Sequence, residues 1–187
     1  MKQTKNISLM GIFLALMIVG AYIQITLPTP FFVMHITLQF FVSILVGLCL
    51  PFNMATCIMA IYILIGLCGI PVFASGGGIY YLVKPTFGFV LGFLFASMIC
   101  SYGANKRTLE SFKDYFIEGL KGLAIFYLSG NIYYFLCTRL LLKTMVPLPV
   151  MFFNCFVVSI IPDIFLCYGA CICAQRLKPL FKKRGLV

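Results

Sequence analysis

One acidic residue, Asp163, stands alone in the last apolar stretch of the chain, within VVSIIPDIFLCYGACICA. No other charged residue lies between Thr144 and Gln175. A carboxylate inside an apolar helix is costly unless it is paired or hydrated, so such a residue is by default functional. Pro162 precedes it, removes a backbone N–H and favours a kink that exposes a carbonyl. We therefore expect a polar notch here; the alternative is a carboxylate that only pairs with a neighbouring Tyr or Lys.

A second candidate, Lys84, lies in the segment PVFASGGGIYYLVKPTFGF, residues 71–89. Two prolines and three consecutive glycines make an ordinary helix implausible for this segment. Irregular backbone near membrane depth persists only where protein covers it or where it lines a cavity. Glycines such as Gly77 also let a ligand approach the backbone closely. The sequence therefore predicts a charged cover over a binding site, and the alternative is a loop lysine that reaches solvent.

Further amide and aromatic side chains are expected near the same end of the protein. An apolar pocket with a few aimed polar groups is the usual form of a small-molecule site. A single tyrosine in this region is more often part of the aromatic belt at the membrane interface, so the prediction rests on the set. The set comprises Gln39, Asn131, Phe73, Tyr80 and Tyr134.

The elements that must position these residues are membrane helices. The chain has 187 residues, of which 63% are hydrophobic and 10% are charged. The 78 residues from Asn6 to Val83 contain no Asp, Glu, Lys or Arg. Because a bilayer span needs about 20 apolar residues, this stretch alone holds about three spans. The sequence predicts an all-α integral membrane protein that forms a single domain over residues 1–187.

Six transmembrane helices fit the hydropathy pattern, with an irregular outer loop between helices 3 and 4. The turn PTPFF separates the first two spans, and the turn PFN separates the second from the third. The predicted spans are residues 7–27, 36–50, 54–68, 86–102, 120–137 and 151–174.

The distribution of Lys and Arg predicts the orientation. An even number of spans places both termini on one side, and 11 of the 14 Lys and Arg residues lie on that side. Only Lys84, Arg139 and Lys143 lie on the other side. Cytoplasmic loops carry the excess of positive charge, so both termini are expected in the cytoplasm of a multi-pass cell-membrane protein. This rule and anionic lipid account for the net charge of +10, so no nucleic-acid partner is expected.

Catalytic and metal-binding patterns are missing from the sequence. Its one histidine is His35, and it has no Gly-x-Ser-x-Gly, no His-x-x-x-His and no pair of aspartates in facing spans. An intramembrane enzyme is therefore the weaker alternative, and neither a metal nor another cofactor is expected. A nucleotide-binding motif is also missing, so any step driven by ATP must be powered by another subunit.

Five stretches, in chain order, resemble the BioY family, the biotin-specific substrate-binding subunits (S components) of energy-coupling factor (ECF) transporters. They are GAYIQITLPTP, ITLQF, GLCGIPVFASGGG, KPTFGFVLGF and the aspartate that follows a proline in the last span. The resemblance covers nearly the whole chain, and GIPVFASGGG together with KPTFGF is its most specific part.

The resemblance implies a six-helix subunit that captures a vitamin from outside the cell. Its implied partners are a transmembrane coupling subunit and two ATP-binding-cassette (ABC) ATPases, and the subunit is thought to topple in the membrane to release substrate inside. Small residues on the first helix, often Ala-x-x-x-Ala, form the docking face for the coupling subunit. The matching stretch here is GIFLA, so Gly11 and Ala15 are the candidates for that face.

Biotin has a ureido ring with two N–H donors and one carbonyl, and a valerate carboxylate. The resemblance implies that Asp163 accepts from the N–H groups and that Lys84 pairs with the carboxylate. Many relatives have a lysine three residues after the aspartate, where this chain has Leu166. Asn131 and Gln39 are expected to serve the ureido carbonyl, and the aromatic set to pack the rings and chain. The reversed orientation of biotin and another vitamin, such as thiamin or riboflavin, stay open.

Overall fold

The computed structural model describes residues 2–28, 33–107, 109–141 and 158–185. Within these ranges the chain forms six α-helices, one two-stranded antiparallel sheet and two short helical turns. The predicted six-helix class is confirmed. The elements are α1 Lys2–Tyr22, β1 Gln24–Pro28, β2 Val33–Thr37, α2 Gln39–Cys49, α3 Phe52–Leu67, a 3₁₀ helix Ile79–Val83, α4 Phe87–Lys106, α5 Phe112–Leu136, a π-helical turn Cys137–Leu141 and α6 Val158–Lys183.

Several predicted features fall outside the described residues. These are positions 29–32 of the turn PTPFF, the loop residue Lys143 and positions 151–157 of the sixth predicted span. Within the described part, three helices are long and apolar enough to cross a membrane: Gln3–Tyr22, Phe87–Lys106 and Ser159–Lys183.

The first span was predicted to continue to position 27, and this is wrong. α1 ends at Tyr22, and β1 pairs with β2 in a hairpin whose register joins Gln24 to Thr37 and Thr26 to His35. The alternation of polar and β-branched residues in this stretch suits a strand, where branched side chains pack well on a pleated surface. The hairpin lies at one end of the helix bundle, because it joins the C-terminal end of α1 to the N-terminal end of α2.

α2 is the central helix, and all but one of its 11 residues are buried. Its length of about 16 Å is half the thickness of a bilayer core, so its ends lie against protein. α2 runs parallel to α4, and two hydrogen bonds fix their register. Ser43 Oγ donates to the Phe93 carbonyl and Ser101 Oγ donates to the Leu50 carbonyl, both at 2.8 Å. This offset of about 50 positions brings Gln39 level with the start of α4.

α5 begins earlier than the fifth predicted span, because a capping box starts it within the polar connection. Ser111 Oγ accepts from the backbone N–H of Lys113, and the Asp114 carboxylate accepts from the backbone N–H of Ser111 at 2.9 Å. Glycines then allow α4 and α5 to approach closely. A Cβ atom at Gly92 of α4 would lie 2.8 Å from the Phe126 ring, too close to be accommodated without movement.

Candidate ligand-binding site

A cavity opens between the helix ends that carry the β1–β2 hairpin and the loop that follows α3. Its volume is about 80 Å³, and it is open at the mouth. All the helices except α1 and α3 contribute to its walls. The lining residues are His35, Ile36, Thr37, Gln39, Phe40, Ala74, Tyr81, Thr86, Phe89, Val90, Phe93, Phe126, Tyr127, Ser159 and Asp163.

One wall of the cavity is a cluster of aromatic rings around Phe126. The Phe93 ring stacks on the Phe126 ring with 5.2 Å between centroids and 19° between planes. Phe40 and Phe89 lie 4.8 Å and 5.4 Å from the same ring. These side chains come from α2, α4 and α5, so the register of the three helices builds the wall. Such a surface suits the apolar faces of a small ring system.

A buried carboxylate forms the polar end of the cavity. Asp163 is only 5% exposed, and its Oδ2 accepts a hydrogen bond of 2.5 Å from the Tyr127 hydroxyl. A hydrogen bond to an ionised group is short and strong, and it offsets part of the cost of burying the charge. Asp163 therefore does pair with a tyrosine, as the simpler alternative held, yet it also lines the cavity.

Gln39, which was predicted from the sequence, lies in the cavity wall, but its amide is already engaged. The side-chain Nε2 donates to the Met17 carbonyl at 3.3 Å and to the Tyr62 hydroxyl. Its Oε1 accepts from Thr37 Oγ1 at 3.4 Å. Gln39 thus ties α1, α3 and the end of β2 together below the cavity, and Thr37 is the group next to it that faces the cavity.

The hairpin and the loop after α3 are joined to each other at the mouth. The Tyr22 hydroxyl donates to the Pro71 carbonyl at 2.5 Å, and Gln24 Nε2 donates to the Ala74 carbonyl at 3.4 Å. Lys84 is exposed, and its Nζ lies 4.7 Å from the centroid of the Tyr81 ring, which lines the cavity. Nζ also donates to the Ser75 carbonyl at 3.2 Å. Lys84 therefore sits beside the mouth, outside the lining itself.

Three predicted aromatic residues lie outside the cavity lining. Phe73 is buried in a separate ring cluster, 5.4 Å from Tyr62 and 4.6 Å from Tyr81. Tyr134 is also buried, whereas Tyr80 is 84% exposed. The Phe73 ring packs against Tyr81, which does line the cavity.

The remaining predicted positions, Asn131 and Gly77, are also not in the lining. Asn131 Nδ2 donates to the Tyr127 carbonyl at 2.8 Å, and its buried Oδ1 has no partner among the described residues. Gly77 packs against the Ile70 carbonyl, where a Cβ atom would collide with that oxygen. The close approach at Gly77 is therefore to the loop's own backbone.

The small residues proposed for docking lie on an exposed face of α1. Both Gly11 and Ala15 are exposed, and a Cβ atom at Gly11 would have no neighbour within 4 Å. Large apolar side chains on the same helix are also exposed, including Ile12 at 59% and Val19 at 54%. This face has no partner within the described part of the chain.

Tyr127 and most of the aromatic wall were not predicted from the sequence. Tyr127 lies one helical turn before Asn131, so the i, i+4 spacing of two polar residues on an apolar helix was an available signal. The sequence gives no such signal for the four phenylalanines of the wall, because a phenylalanine in a membrane helix looks the same whether it faces a ligand or lipid. They are Phe40, Phe89, Phe93 and Phe126.

Among the described residues no group of His, Cys, Asp and Glu could hold a metal ion.

Comparisons with known proteins agree on one family. The sequence profile of the BioY family matches residues 1–183. A probable biotin transporter BioY from Lysinibacillus sphaericus is 33% identical over 184 residues, 97% of this chain and 92% of that protein. The biotin transporter BioY of Thermotoga maritima is 42% identical over 122 residues, 64% of this chain and 68% of that protein. The crystal structure of the S component for biotin from an ECF-type ABC transporter superposes with a TM-score of 0.82 at 19% identity, over 95% of this chain and 92% of that one, which supports the fold.

Proposed function

Because this chain belongs to the BioY family, we propose that it is the biotin-binding S component of an ECF-type importer. The observation that carries the proposal is the cavity, which has a buried carboxylate at one end, aromatic walls and a lysine beside its mouth. Its relatives are named as biotin transporters, so the intramembrane enzyme has no support among them.

Biotin fits this arrangement by chemistry at both ends. The Asp163 carboxylate is an acceptor, and Tyr127 occupies one of its oxygens, which leaves Oδ1 for the ureido N–H groups. Phe93 and Phe126 pack against the fused rings. Lys84 swings from the Ser75 carbonyl towards the valerate carboxylate, a movement that its flexible side chain allows.

The ureido carbonyl needs a donor, and the predicted amides would have to rearrange to supply it. Gln39 Nε2 and Asn131 Nδ2 both donate to backbone carbonyls here. We assign Gln39 a supporting role, because it accepts from Thr37 and so positions that hydroxyl at the cavity. Asn131 lies outside the lining, and it could donate to the ureido carbonyl only if its bond to the Tyr127 carbonyl were broken.

Uptake requires partners and a defined orientation in the cell membrane. The exposed face of α1 around Gly11 and Ala15 docks on the transmembrane coupling subunit, because small residues let helix backbones approach closely. Two ABC ATPases bound to that subunit supply the energy. Both termini face the cytoplasm, as the excess of Lys and Arg predicts, and the cavity opens outward.

The ligand is tested first by mass spectrometry of what co-purifies with the full-length protein. We expect unmodified biotin; thiamin, riboflavin or another vitamin would move the protein to a different specificity, and a chemically altered biotin would indicate an enzyme.

The roles of the two ends are tested by Lys84→Ala, titrated with biotin and with biotin methyl ester, which lacks the carboxylate charge. We expect Lys84→Ala to weaken the binding of biotin by about 10-fold, since a hydrogen bond to a charged group is worth about 1.5 kcal/mol or more. The ester should bind Lys84→Ala and the unaltered protein alike. Equal weakening of both ligands would show that Lys84 does not pair with the carboxylate.

A further inference from the structure

The mouth of the cavity contains a second group that can carry a positive charge, His35. Its ring lines the cavity from β2, directly opposite Thr26 in the hairpin register. The ring Nδ1 lies 3.1 Å from Thr26 Oγ1, which fixes the ring across the hairpin. Because Nδ1 is used in this way, the Nε2 edge is the one available to a ligand.

The surroundings of His35 favour its neutral form while the cavity is empty. Partial burial, followed by the positive charge of Lys84, lowers the pKa of His35 below its ordinary value of 6.5. The other titratable groups around the same cavity are Tyr81, Tyr127 and Asp163. Of these only Asp163 is a carboxylic acid, and it is buried and bonded to Tyr127.

We propose that His35 is the second group that holds the ligand's carboxylate, and that it takes up a proton from solvent as the anion binds beside Lys84. This inference rests on the proposed function and names one more residue of the same site. An anion placed between two neighbouring cations removes the repulsion that keeps one of them neutral. Binding of the carboxylate and protonation of His35 therefore stabilise each other.

The coupling between proton binding and biotin binding gives the sign and the size of the effect of pH on the affinity for biotin. If the complex binds one proton more than the free protein, the affinity for biotin rises as pH falls, by at most about tenfold per pH unit. The effect belongs to the range from about pH 7.5 to about pH 5.5, because the ordinary pKa of histidine is about 6.5 and a carboxylic acid stays largely ionised above about pH 5. Over this range we expect biotin to gain at least about threefold in affinity relative to biotin methyl ester.

The single histidine makes a direct test available. Full-length protein with ¹³C,¹⁵N-labelled histidine, carrying an affinity tag without histidine, gives NMR signals from one imidazole in lipid nanodiscs. We expect the pKa of His35 to be below 6.5 in the free protein, to rise when biotin binds and to stay low with the ester. In Lys84→Ala the pKa of the free protein should rise as well, because the neighbouring charge is gone.

Calorimetric titrations across the same pH range supply the second measurement. His35→Gln places a neutral amide near the position of Nε2, and His35→Asn keeps a polar group next to Thr26. In both variants the ratio of biotin to ester affinity should no longer change with pH. Titration of Asp163 or Tyr127 affects both ligands and cancels in that ratio.

Two results separate this inference from the function on which it rests. If both ligands bind with the same pH dependence, or if the pKa of His35 is the same with and without biotin, His35 does not hold the carboxylate, while the biotin-binding function stands. If neither ligand binds at any pH, the proposed function fails, and the assignment of His35 fails with it.

Discussion

Replacing the buried carboxylate at the end of the cavity, Asp163→Asn, removes the acceptor on which the proposed site depends. Oδ2 already accepts from Tyr127 at 2.5 Å, so in the proposed complex Oδ1 is the oxygen that accepts from the ligand. If the asparagine keeps its oxygen on Tyr127, its NH₂ group points at the ureido N–H groups, and donor meets donor. A hydrogen bond to a charged group contributes about 1.5–3 kcal/mol, so the affinity for biotin should fall by about 10- to 150-fold.

The assay is calorimetric titration of the purified protein with biotin and with its methyl ester. Both ligands keep the ureido ring, so both should weaken by the same factor. Glu118→Gln is the matched control, because Glu118 is also a buried carboxylate but accepts from Lys121 at 2.7 Å outside the cavity lining. The affinity of Glu118→Gln for biotin should stay within about twofold of that of the unaltered protein, a change well below the loss expected for Asp163→Asn.

The reasoning has two ways to fail. Binding by Asp163→Asn within about twofold of the unaltered protein would mean that the carboxylate stabilises the fold without touching the ligand. A gain in affinity confined to biotin, with the ester unaffected, would mean that biotin lies in the reverse orientation, because its carboxylate would then lie against the Asp163 carboxylate.

Three further predictions concern the scaffold and docking. Gly66→Ala drives a Cβ into the buried Phe73 ring, so the free energy of unfolding measured by thermal unfolding should fall by about 1–3 kcal/mol. At Gly11 an added Cβ meets open space, so Gly11→Ala should raise the free energy of unfolding by up to about 1 kcal/mol. Ser111→Ala removes the capping box and should cost about 0.5–2 kcal/mol in the same assay; an unchanged unfolding temperature would contradict that role. Ala15→Leu should abolish co-purification with the coupling subunit while biotin affinity is unchanged, and an intact complex would place docking elsewhere.

The helices could be predicted from the sequence because the bilayer imposes a length and a composition on each span. The hairpin could not, since Gln24 to Thr37 reads as apolar chain on either side of a turn, and only pairing across the mouth distinguishes strands from helix ends. The short α2 lies within the second predicted span, residues 36–50, but its almost complete burial could not be predicted. Its burial depends on the surrounding helices, which hydropathy does not describe.

The residues of the candidate site also differ in whether they could be predicted from the sequence. Asp163 could be predicted because charge inside an apolar span is rare, and Gln39 because an amide there needs partners. The partner of Asp163 could not be predicted, because ten tyrosines are candidates and only the packing of α5 against α6 selects Tyr127. Phe73 was predicted to contact the ligand but packs behind Tyr81, outside the cavity lining, and composition cannot distinguish these two positions.

The last span lacks the lysine that many relatives have three residues after the aspartate, and the structure shows what takes its place. At that position Leu166 packs against the hydrophobic core, and Asp163 receives the neutral Tyr127 hydroxyl instead of a cation. A buried ion pair carries a large desolvation cost, which a tyrosine partner largely avoids. The cation candidates, Lys84 and His35, lie at the mouth, where Lys84 stays hydrated while the cavity is empty. In the proposed site the two ends of the cavity thus differ in chemistry, with the Asp163 acceptor inside and Lys84 beside the protonatable His35 at the mouth. This difference would favour a ligand with N–H donors at one end and an anion at the other.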